Sequence, residues 1–250
     1  MALETVGLLH PGEMGAAVGA VLREQGHRVV WASAGRSTET HARAEAAGLV
    51  DVGSPEEVGR SDVVLSICPP HAALEVARSV GPFEELFVDA NAISPATARA
   101  VAEVVRRAGG RYVDGAIVGS PPHEAGTTRL YLSGEGAEEL RELFAGSVLD
   151  ARLVPNASAL KMAYAAWTKG TSAMLLAIRE LAHAEGVEDA LLAEWDLSQP
   201  ELRERHERAA HSAEAKGWRW VGEMEEIAAS FEAVGLPGGF HQAAAEMYRR

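Results

Sequence analysis

LLHPGEMGAAVGA, residues 8–20, joins the end of an apolar run to the start of a helical pattern rich in small residues. Dinucleotide-binding turns stand at such junctions, where glycines let the backbone bend tightly and approach a pyrophosphate. Gly12 and Gly15 take the second and third glycine positions of that pattern, whereas His10 takes the first and Pro11 fixes φ behind it. The stretch predicts either a dinucleotide site or an ordinary strand-turn-helix junction.

Around this turn, β-rich runs alternate with helical runs through the first half of the chain. The runs that predict strands are 5–10, 27–33, 62–69, 86–91, 111–119 and 128–134. The runs that predict helices are 15–26, 40–49, 71–80 and 94–109. Strands separated by helices of this length imply right-handed crossovers and a mostly parallel, doubly wound α/β sheet.

The pattern changes after LVPNA, residues 153–157. A helical run without proline covers 158–185 and closes at Gly186, and everything beyond it is helical in character. We therefore expect an α/β domain over 1–155 and an all-α domain over 156–250, joined by the long helix. A helical domain of about 95 residues is small for burying its own core, which favours packing against a second subunit.

Composition narrows the choice of partners. The 250 residues include 23 Lys plus Arg and 36 Asp plus Glu, for a formal net charge of −13. This acidic balance disfavours nucleic acid and anionic membranes and favours a small-molecule ligand or a protein partner. An anionic ligand then has to be met by a local cluster of donors.

Cysteine and histidine usage argues against a metal site. Cys68 is the only cysteine, so a disulfide within the chain and a cysteine cage are both excluded. The histidines lack ligand spacing, since even His206 and His211 are five residues apart. The N-terminal residues lack the pattern of a signal peptide, and no apolar stretch approaches the roughly 20 residues that span a bilayer. We expect a cytoplasmic protein without a metal.

The end of the second predicted strand indicates which dinucleotide would bind. A site for NAD usually places Asp or Glu about 20 residues after the glycine turn, to accept from the ribose hydroxyls. WASAGRST, residues 31–38, offers no acid before Glu39. Ser33, Arg36 and Ser37 are donors suited to a 2′-phosphate, Arg36 through its planar guanidinium. This favours NADPH or NADP⁺ over NAD, and the alternative is a surface loop with one arginine.

Several separated segments resemble the β-hydroxyacid dehydrogenase superfamily, which includes 6-phosphogluconate dehydrogenases and imine reductases. HPGEMGAAVGA (10–20) resembles its GLGxMGxxMA signature, and VDANAISP (88–95) its DxSTxSP substrate loop. The stretch 113–134 is similar to the pattern DAPVSGGxxGAxxGTLxxxxGG, and SALKMAYAAW (158–167) to the segment with the family's catalytic lysine. GLPGGFHQAAAEMYRR (235–250) resembles a poorly characterised bacterial branch.

The resemblance implies an N-terminal Rossmann domain, a long interdomain helix and a helical C-terminal domain exchanged within a homodimer. It implies an NADPH turn at residues 10–15 and a second cofactor contact in the ICPPH stretch, residues 67–71. The residues expected to line the cofactor are His10, Pro11, Gly12, Glu13, Met14, Gly15, Ser33, Arg36, Ser37, Cys68, Pro69 and Asn91. Cys68 is expected to be a buried apolar filler rather than a nucleophile.

Lys161 is the residue that the resemblance makes catalytic. It is the first charge on an otherwise apolar helix start, where an unpaired ammonium is costly. A desolvated lysine has a lowered pKa and can exchange a proton with a hydroxyl or carbonyl group. The alternative is that Lys161 extends to solvent from a half-buried helix.

The predicted substrate region departs from the family pattern. Where family members usually carry Asn after the lysine, this chain has Tyr164 and Ala165, and Tyr164 offers a hydroxyl instead. Lys169 lies about 80° further around the helix than Lys161, so it faces either the same cleft or solvent. The usual serine and threonine of the substrate loop are also replaced, which leaves the substrate open.

Four further residues complete the predicted substrate site. Asn91 and Ser94 follow the carboxyl end of a strand, where ligands bind in open α/β sheets. Ser94 followed by Pro95 equally fits a helix N-cap. Gly119 and Ser120 either present donors to a carboxylate or phosphate or form a plain turn.

Together these features predict an NADPH-dependent oxidoreductase acting on a small hydroxy acid or carbonyl substrate. An imine reductase acting on C=N is the first alternative. A nucleotide-binding dimer without catalysis is the second, because a fold alone does not establish a reaction.

Overall fold

The computed structural model describes residues 3–250, which form two compact units. One unit ends at Lys161 and the other covers Met162–Arg250. Within the described residues, the first unit contains a sheet of eight strands. In chain order these are β1 (Thr5–Leu8), β2 (Arg28–Trp31), β3 (Val50–Asp51), β4 (Val63–Ser66), β5 (Leu86–Asp89), β6 (Arg111–Gly119), β7 (Thr128–Ser133) and β8 (Leu149–Leu153).

The order of strands across the sheet is β3-β2-β1-β4-β5-β6-β7-β8. Neighbouring strands are parallel except β6 and β7, so β7 and β8 run against the other six. The first six strands follow the doubly wound order of dinucleotide-binding folds, which reverses direction beside β1. The prediction of a mostly parallel, doubly wound α/β sheet is confirmed. Ligands of such sheets bind at the carboxyl ends of β1 and β4.

Helices cover the connections between the strands. Those of the first unit are α1 (Glu13–Glu24), α2 (Thr38–Ala46), α3 (Pro55–Val58), α4 (Ala73–Ser79), α5 (Pro95–Arg107) and α6 (Ala137–Leu143). The central strands β4 and β5 are buried along their whole length because both faces of the sheet are covered. Successive side chains of a strand lie on opposite faces of the sheet. Val64 and Phe87 therefore belong to one hydrophobic cluster, and Leu65 and Val88 to the other.

The described residues of the second unit form helices joined by short turns, in agreement with the sequence pattern. Its helices are the larger part of α7 (Ala157–Ala184), then α8 (Glu188–Ser198), α9 (Leu202–Glu232) and α10 (Gly239–Arg249). Trp220 and Tyr248 join α9 to α10 edge to face, with ring centroids 5.1 Å apart. Within residues 3–250, no helix combines the length and apolar character that crossing a membrane requires.

Candidate cofactor and active site

The glycine turn between β1 and α1 has an open backbone. Gly12 is the N-cap of α1, and no side chain among the described residues caps this helix end. A Cβ added to Gly12 would meet no atom within 4 Å, whereas one added to Gly15 would overlap the carbonyl oxygen of His10. Gly15 is therefore required by close packing, and the uncapped helix end with its partial positive charge can receive an anion.

His10 and Arg36 contact each other at this turn. Arg36, which follows β2, donates through Nη1 to His10 Nε2 at 2.5 Å and through Nη2 to the Leu9 carbonyl at 3.2 Å. Arg36 Nη2 also lies 3.4 Å from His10 Nδ1, and because a neutral imidazole has one acceptor, we assign that role to Nε2 in the shorter contact and the proton to Nδ1. Burial, with the Arg36 charge second, lowers the pKa of His10 to about 4, so the ring is neutral at neutral pH. The sequence predicted both residues as cofactor contacts, and the structure joins them directly.

The serines predicted to flank Arg36 have local partners. Ser37 caps α2 by accepting from the Thr40 amide at 3.4 Å. The Ser33 amide donates to Asp51 Oδ1 at 3.2 Å. Asp51 comes from β3, which pairs beside the end of β2, so an acid reaches this loop from a neighbouring strand. An acid was expected only at the end of the second strand, so the sequence pattern does not indicate Asp51.

Arg43 is a second cation at the turn that the sequence reading missed. This exposed residue of α2 donates through Nε to the carbonyl of Pro11 at 3.4 Å and through Nη2 to Thr40 at 3.2 Å. Arg36 and Arg43 therefore contact adjacent parts of one turn. The signal available in the sequence was a second arginine in the helix that follows the second strand.

Asn91 ties the carboxyl ends of β4 and β5 together. Its side-chain amide donates to Ser66 Oγ at 3.0 Å, and its Oδ1 accepts from the Cys68 amide at 2.5 Å. With only 3% of its surface exposed, Asn91 directs both ends of its amide into the protein. The predicted contact of Asn91 with cofactor and substrate stays a prediction. In the structure, Asn91 holds the segment that contains Pro69 against the end of β4.

The thiol of Cys68 is in an environment that makes it a poor nucleophile. Burial raises its pKa to about 12, so the group is protonated at neutral pH. Ser66 Oγ lies 3.8 Å from the sulfur. The charge of Arg36 also acts on this thiol, which brings the segment after β4 within electrostatic range of the glycine turn.

Ser94 has the cap geometry that the sequence left open. Its Oγ accepts from the Thr97 amide at 3.2 Å at the start of α5, with Pro95 in the first turn. Gly119 and Ser120 are exposed at the end of β6. Gly119 has a φ of +124°, and a Cβ there would overlap the Thr127 carbonyl, so the hairpin itself requires glycine.

Lys161 reaches β6 from the beginning of α7. Its Nζ donates to the Ile117 carbonyl at 2.8 Å, two residues before the strand ends. This carbonyl and the exposed Gly119 and Ser120 belong to the same strand end. The structure therefore brings Lys161 to the strand end that carries two of the predicted substrate residues.

Asp114 and Ser133 anchor the start of α7, a role that sequence reasoning missed. The Ser158 amide donates to Asp114 Oδ2 at 2.9 Å, and the Ala157 amide donates to Ser133 Oγ at 3.0 Å. Ser133 also donates to Asp114 Oδ2 at 3.0 Å. Burial raises the pKa of Asp114, while these hydrogen bonds favour its charged form. The fixed helix start sets where Lys161, one turn later, meets the sheet.

Tyr164 and Lys169 belong to the second unit. Tyr164 is 47% exposed. Lys169 forms an ion pair with the buried Glu223, and its Nζ lies 5.5 Å from the ring centre of Trp220. Lys169 thus compensates a buried carboxylate within this unit, and its predicted contact with substrate stays a prediction.

A metal centre has no support in the described part of the chain. Among residues 3–250, no three His, Cys, Asp or Glu side chains are grouped so that they could hold a metal ion.

Comparison with known proteins gives two partial matches in sequence. A family model described as a domain of unknown function, DUF1932, matches residues 182–250. An uncharacterized 28.5 kDa protein from Methanothermus fervidus is 31% identical over 163 residues. That match covers 63% of this chain and 63% of the relative, so it spans less than two thirds of the relative's length.

Solved structures extend the likeness over the whole chain. A conserved protein of unknown function, described as structurally similar to 3-hydroxyacid dehydrogenases, is 30% identical with a TM-score of 0.72. The alignment covers 98% of this chain and 95% of that one. A reductive aminase from Aspergillus terreus, solved in complex with NADPH4, cyclohexanone and allyl amine, shares the fold at 16% identity and a TM-score of 0.62. The alignment covers 98% of this chain and 93% of that one.

The chain has the fold of NAD(P)-dependent oxidoreductases. It belongs to the β-hydroxyacid dehydrogenase superfamily, as its sequence segments predicted.

Proposed function

We propose that this protein is an NADPH-dependent oxidoreductase acting on a small hydroxy acid or the corresponding carbonyl compound. The observation that carries the proposal is the turn between β1 and α1. In this turn the backbone is open around Gly12 and closely packed at Gly15. The guanidinium groups of two arginines, Arg36 and Arg43, contact residues of the turn. A turn of this kind at the point where strand order reverses is the binding place for dinucleotides in this fold.

The residues present fit a nicotinamide dinucleotide phosphate. The uncapped end of α1 and the space around Gly12 suit a pyrophosphate. Arg36 and Arg43 supply two cations for a 2′-phosphate. Because the protein has a net charge of −13, a phosphate has to be bound by such a local group of cations. Asp51 Oδ1 is engaged by the amides of Ser33 and Gly53, at 3.2 and 2.8 Å, and so is turned toward the backbone.

Lys161 would handle the proton of the reaction. The nicotinamide, when bound, supplies or accepts the hydride. The Ile117 carbonyl holds the Lys161 ammonium at the end of β6, where Nζ can protonate a carbonyl oxygen or take the proton of a hydroxyl. Gly119 and Ser120, exposed at the same strand end, would orient the carboxylate of a hydroxy acid.

Reduction of C=N bonds is the second candidate reaction. The reductive aminase with this fold was solved with NADPH4, a ketone and an amine, and the likeness in fold favours such chemistry. An ammonium at the position of Lys161 would serve an imine less well, because a protonated imine repels a second cation. We therefore place hydroxyl–carbonyl chemistry first.

A second copy of the chain would cover the exposed apolar face of α7. Trp167, Met174 and Leu181, spaced by seven residues, are 64%, 51% and 63% exposed. Tyr164 and Ile178 extend the same stripe at helical spacing. Exposed stripes of this length mark protein interfaces, and a homodimer with exchanged helical domains would bury this one.

Cofactor binding is the first test of the proposal. Protein would be titrated into NADPH and into NADH while nicotinamide fluorescence is followed. A panel of hydroxy acids, ketones and cyclic imines would then be assayed with the better cofactor. We expect tighter binding of NADPH and turnover of a hydroxy acid or ketone. Binding of neither nucleotide would refute the proposal. Turnover of imines alone would establish the second reaction. Binding without any turnover would favour a nucleotide-binding protein without catalysis.

A further inference from the structure

His10, in the first glycine position, contacts Arg36, the arginine predicted to bind the 2′-phosphate of the cofactor. Arg36 Nη1 donates to His10 Nε2 at 2.5 Å, and Arg36 Nη2 donates to the Leu9 carbonyl at 3.2 Å. The backbone of Arg36 is fixed as well, because its amide donates to the Ser33 carbonyl at 3.0 Å. Two nitrogens of the guanidinium are therefore tied to the turn, and the main chain of Arg36 is held within its own loop after β2.

A tied guanidinium binds an anion at lower entropic cost than a free one. An arginine side chain loses up to about 2 kcal/mol of rotamer freedom when it is immobilised. In this protein the contacts with Leu9 and His10 immobilise Arg36 before any ligand arrives. Preorganisation of this kind raises affinity without adding a contact to the ligand.

The residue type at position 10 determines whether Arg36 keeps its full positive charge. Glycine, the usual residue there, has no side-chain acceptor. A carboxylate could orient Arg36 but would cancel its charge and repel a phosphate. A neutral imidazole accepts one hydrogen bond and leaves the guanidinium fully cationic. Cys68, which also acts electrostatically on Arg36, is a protonated thiol and does not neutralise it.

We propose that His10 is a positioning residue for cofactor choice, which holds Arg36 where the 2′-phosphate of NADPH would bind. The replacement of the first glycine is then a device for specificity rather than a defect of the turn. The inference rests on the proposed function, since it requires a dinucleotide at this turn. It adds that His10 changes the preference for NADPH over NADH and does so only through Arg36.

The test measures a ratio. Dissociation constants for NADPH and NADH would be determined by nicotinamide fluorescence for the wild type, His10→Gly, His10→Gln, Arg36→Ala and the double variant His10→Gly/Arg36→Ala. His10→Gly should reduce the preference for NADPH about tenfold, the scale of one hydrogen bond to a charged group. His10→Gln keeps an acceptor and should keep most of the preference. In the Arg36→Ala background, His10→Gly should leave the ratio unchanged.

Two controls separate positioning from damage to the fold. His211→Gln changes an exposed histidine of α9 and should leave both constants unchanged. Thermal unfolding of each variant checks that the first unit stays folded, and the ratio cancels any loss common to both nucleotides. A wild type that binds neither nucleotide overturns the proposed function and this inference together. An unchanged ratio in His10→Gly, or an equal change with and without Arg36, overturns the inference alone.

Discussion

Asp114 on β6 accepts a hydrogen bond from the backbone amide of Ser158, at 2.9 Å, and thereby fixes the helix that carries Lys161. The anchor is a half-buried carboxylate at the N-terminal end of α7, where the helix dipole favours a negative charge. Ser133 completes it by linking the Ala157 amide to the same carboxylate. The position of the candidate catalytic group thus depends on residues some 40 positions earlier in the chain.

Removing this anchor should lower stability and displace Lys161. Asp114→Ala deletes the acceptor of the Ser158 amide and of the Ser133 hydroxyl, which should cost about 2–3 kcal/mol in the free energy of unfolding. Urea denaturation gives the value. Asp150→Ala, at an exposed ion pair on β8, is the control and should cost less than about 1 kcal/mol. Equal losses for the two variants would contradict the anchoring role.

Lys161→Ala should abolish most turnover while the affinity for NADPH is kept. General acid–base catalysis contributes about 10²- to 10⁴-fold to rate, so turnover of the substrate found in the panel should fall by that factor. Steady-state kinetics and fluorescence titration measure the two effects separately. Lys216→Ala changes an exposed lysine of α9 and should behave as the wild type. Normal turnover by Lys161→Ala would exclude its role in proton transfer.

Arg36→Ala and Arg43→Ala should each weaken the binding of NADPH and leave NADH nearly unaffected. Loss of one charged hydrogen bond to a phosphate corresponds to about a tenfold or greater increase in dissociation constant. The larger effect is expected at Arg36, because it is tied to the turn through two of its nitrogens. Arg28→Ala, at the opposite end of β2, is the matched control. An equal loss of both nucleotides would remove the assignment to the 2′-phosphate.

His10 should make the protein less stable in mild acid. Its pKa falls from 6.5 to about 4 on folding, chiefly through burial and then through Arg36. The unfolded chain therefore takes up a proton near pH 6.5 that the folded chain refuses until about pH 4. Stability is lost as pH falls through this window and is unaffected above it. Other histidines contribute too, so the measurement is the difference in urea midpoint between wild type and His10→Gln across pH 7 to 4. Parallel curves would show that His10 does not titrate this way.

Interruption of the α7 stripe should change the oligomeric state. Leu181→Asp places a charge at the C-terminal end of the proposed apolar interface, which is strongly unfavourable for a buried contact. Sedimentation velocity should show a dimer for the wild type and a shift toward monomer for the variant. Leu197→Asp alters an 83% exposed leucine of α8 outside the stripe and should not shift the equilibrium. A wild-type monomer at all concentrations would refute the interface.

The sequence predicted the parts of the fold whose pattern is long and regular. β6 begins and ends where its pattern does, at Arg111 and Gly119, and α7 differs from the predicted run by one residue at each end. β3 and α3 were missed because two and four residues are too few to establish a period. β8 was missed because only Leu149 of its five residues is buried, which leaves little hydrophobic signal.

The candidate site was predictable only where neighbours in space are also neighbours in sequence. The glycine turn and the cap at Ser94 are local, and their residues read directly from the chain. Asp51 and Arg43 reach the turn from other elements, so no local motif marks them. Asn91 lies where the motif placed it, but its amide faces inward because Ser66 and the Cys68 amide satisfy it.

Tyr248 on α10 donates to the carbonyl of Lys169 at 2.6 Å across 79 residues, and Lys169 pairs with Glu223 across 54. During synthesis, the middle of α7 emerges long before the groups that satisfy it. The sheet of the first unit, in contrast, is complete at β8, before α7 begins. The α/β unit can therefore fold on the ribosome before the helical unit does. Lys169 stays hydrated until α9 and α10 have been synthesised and can pack against α7.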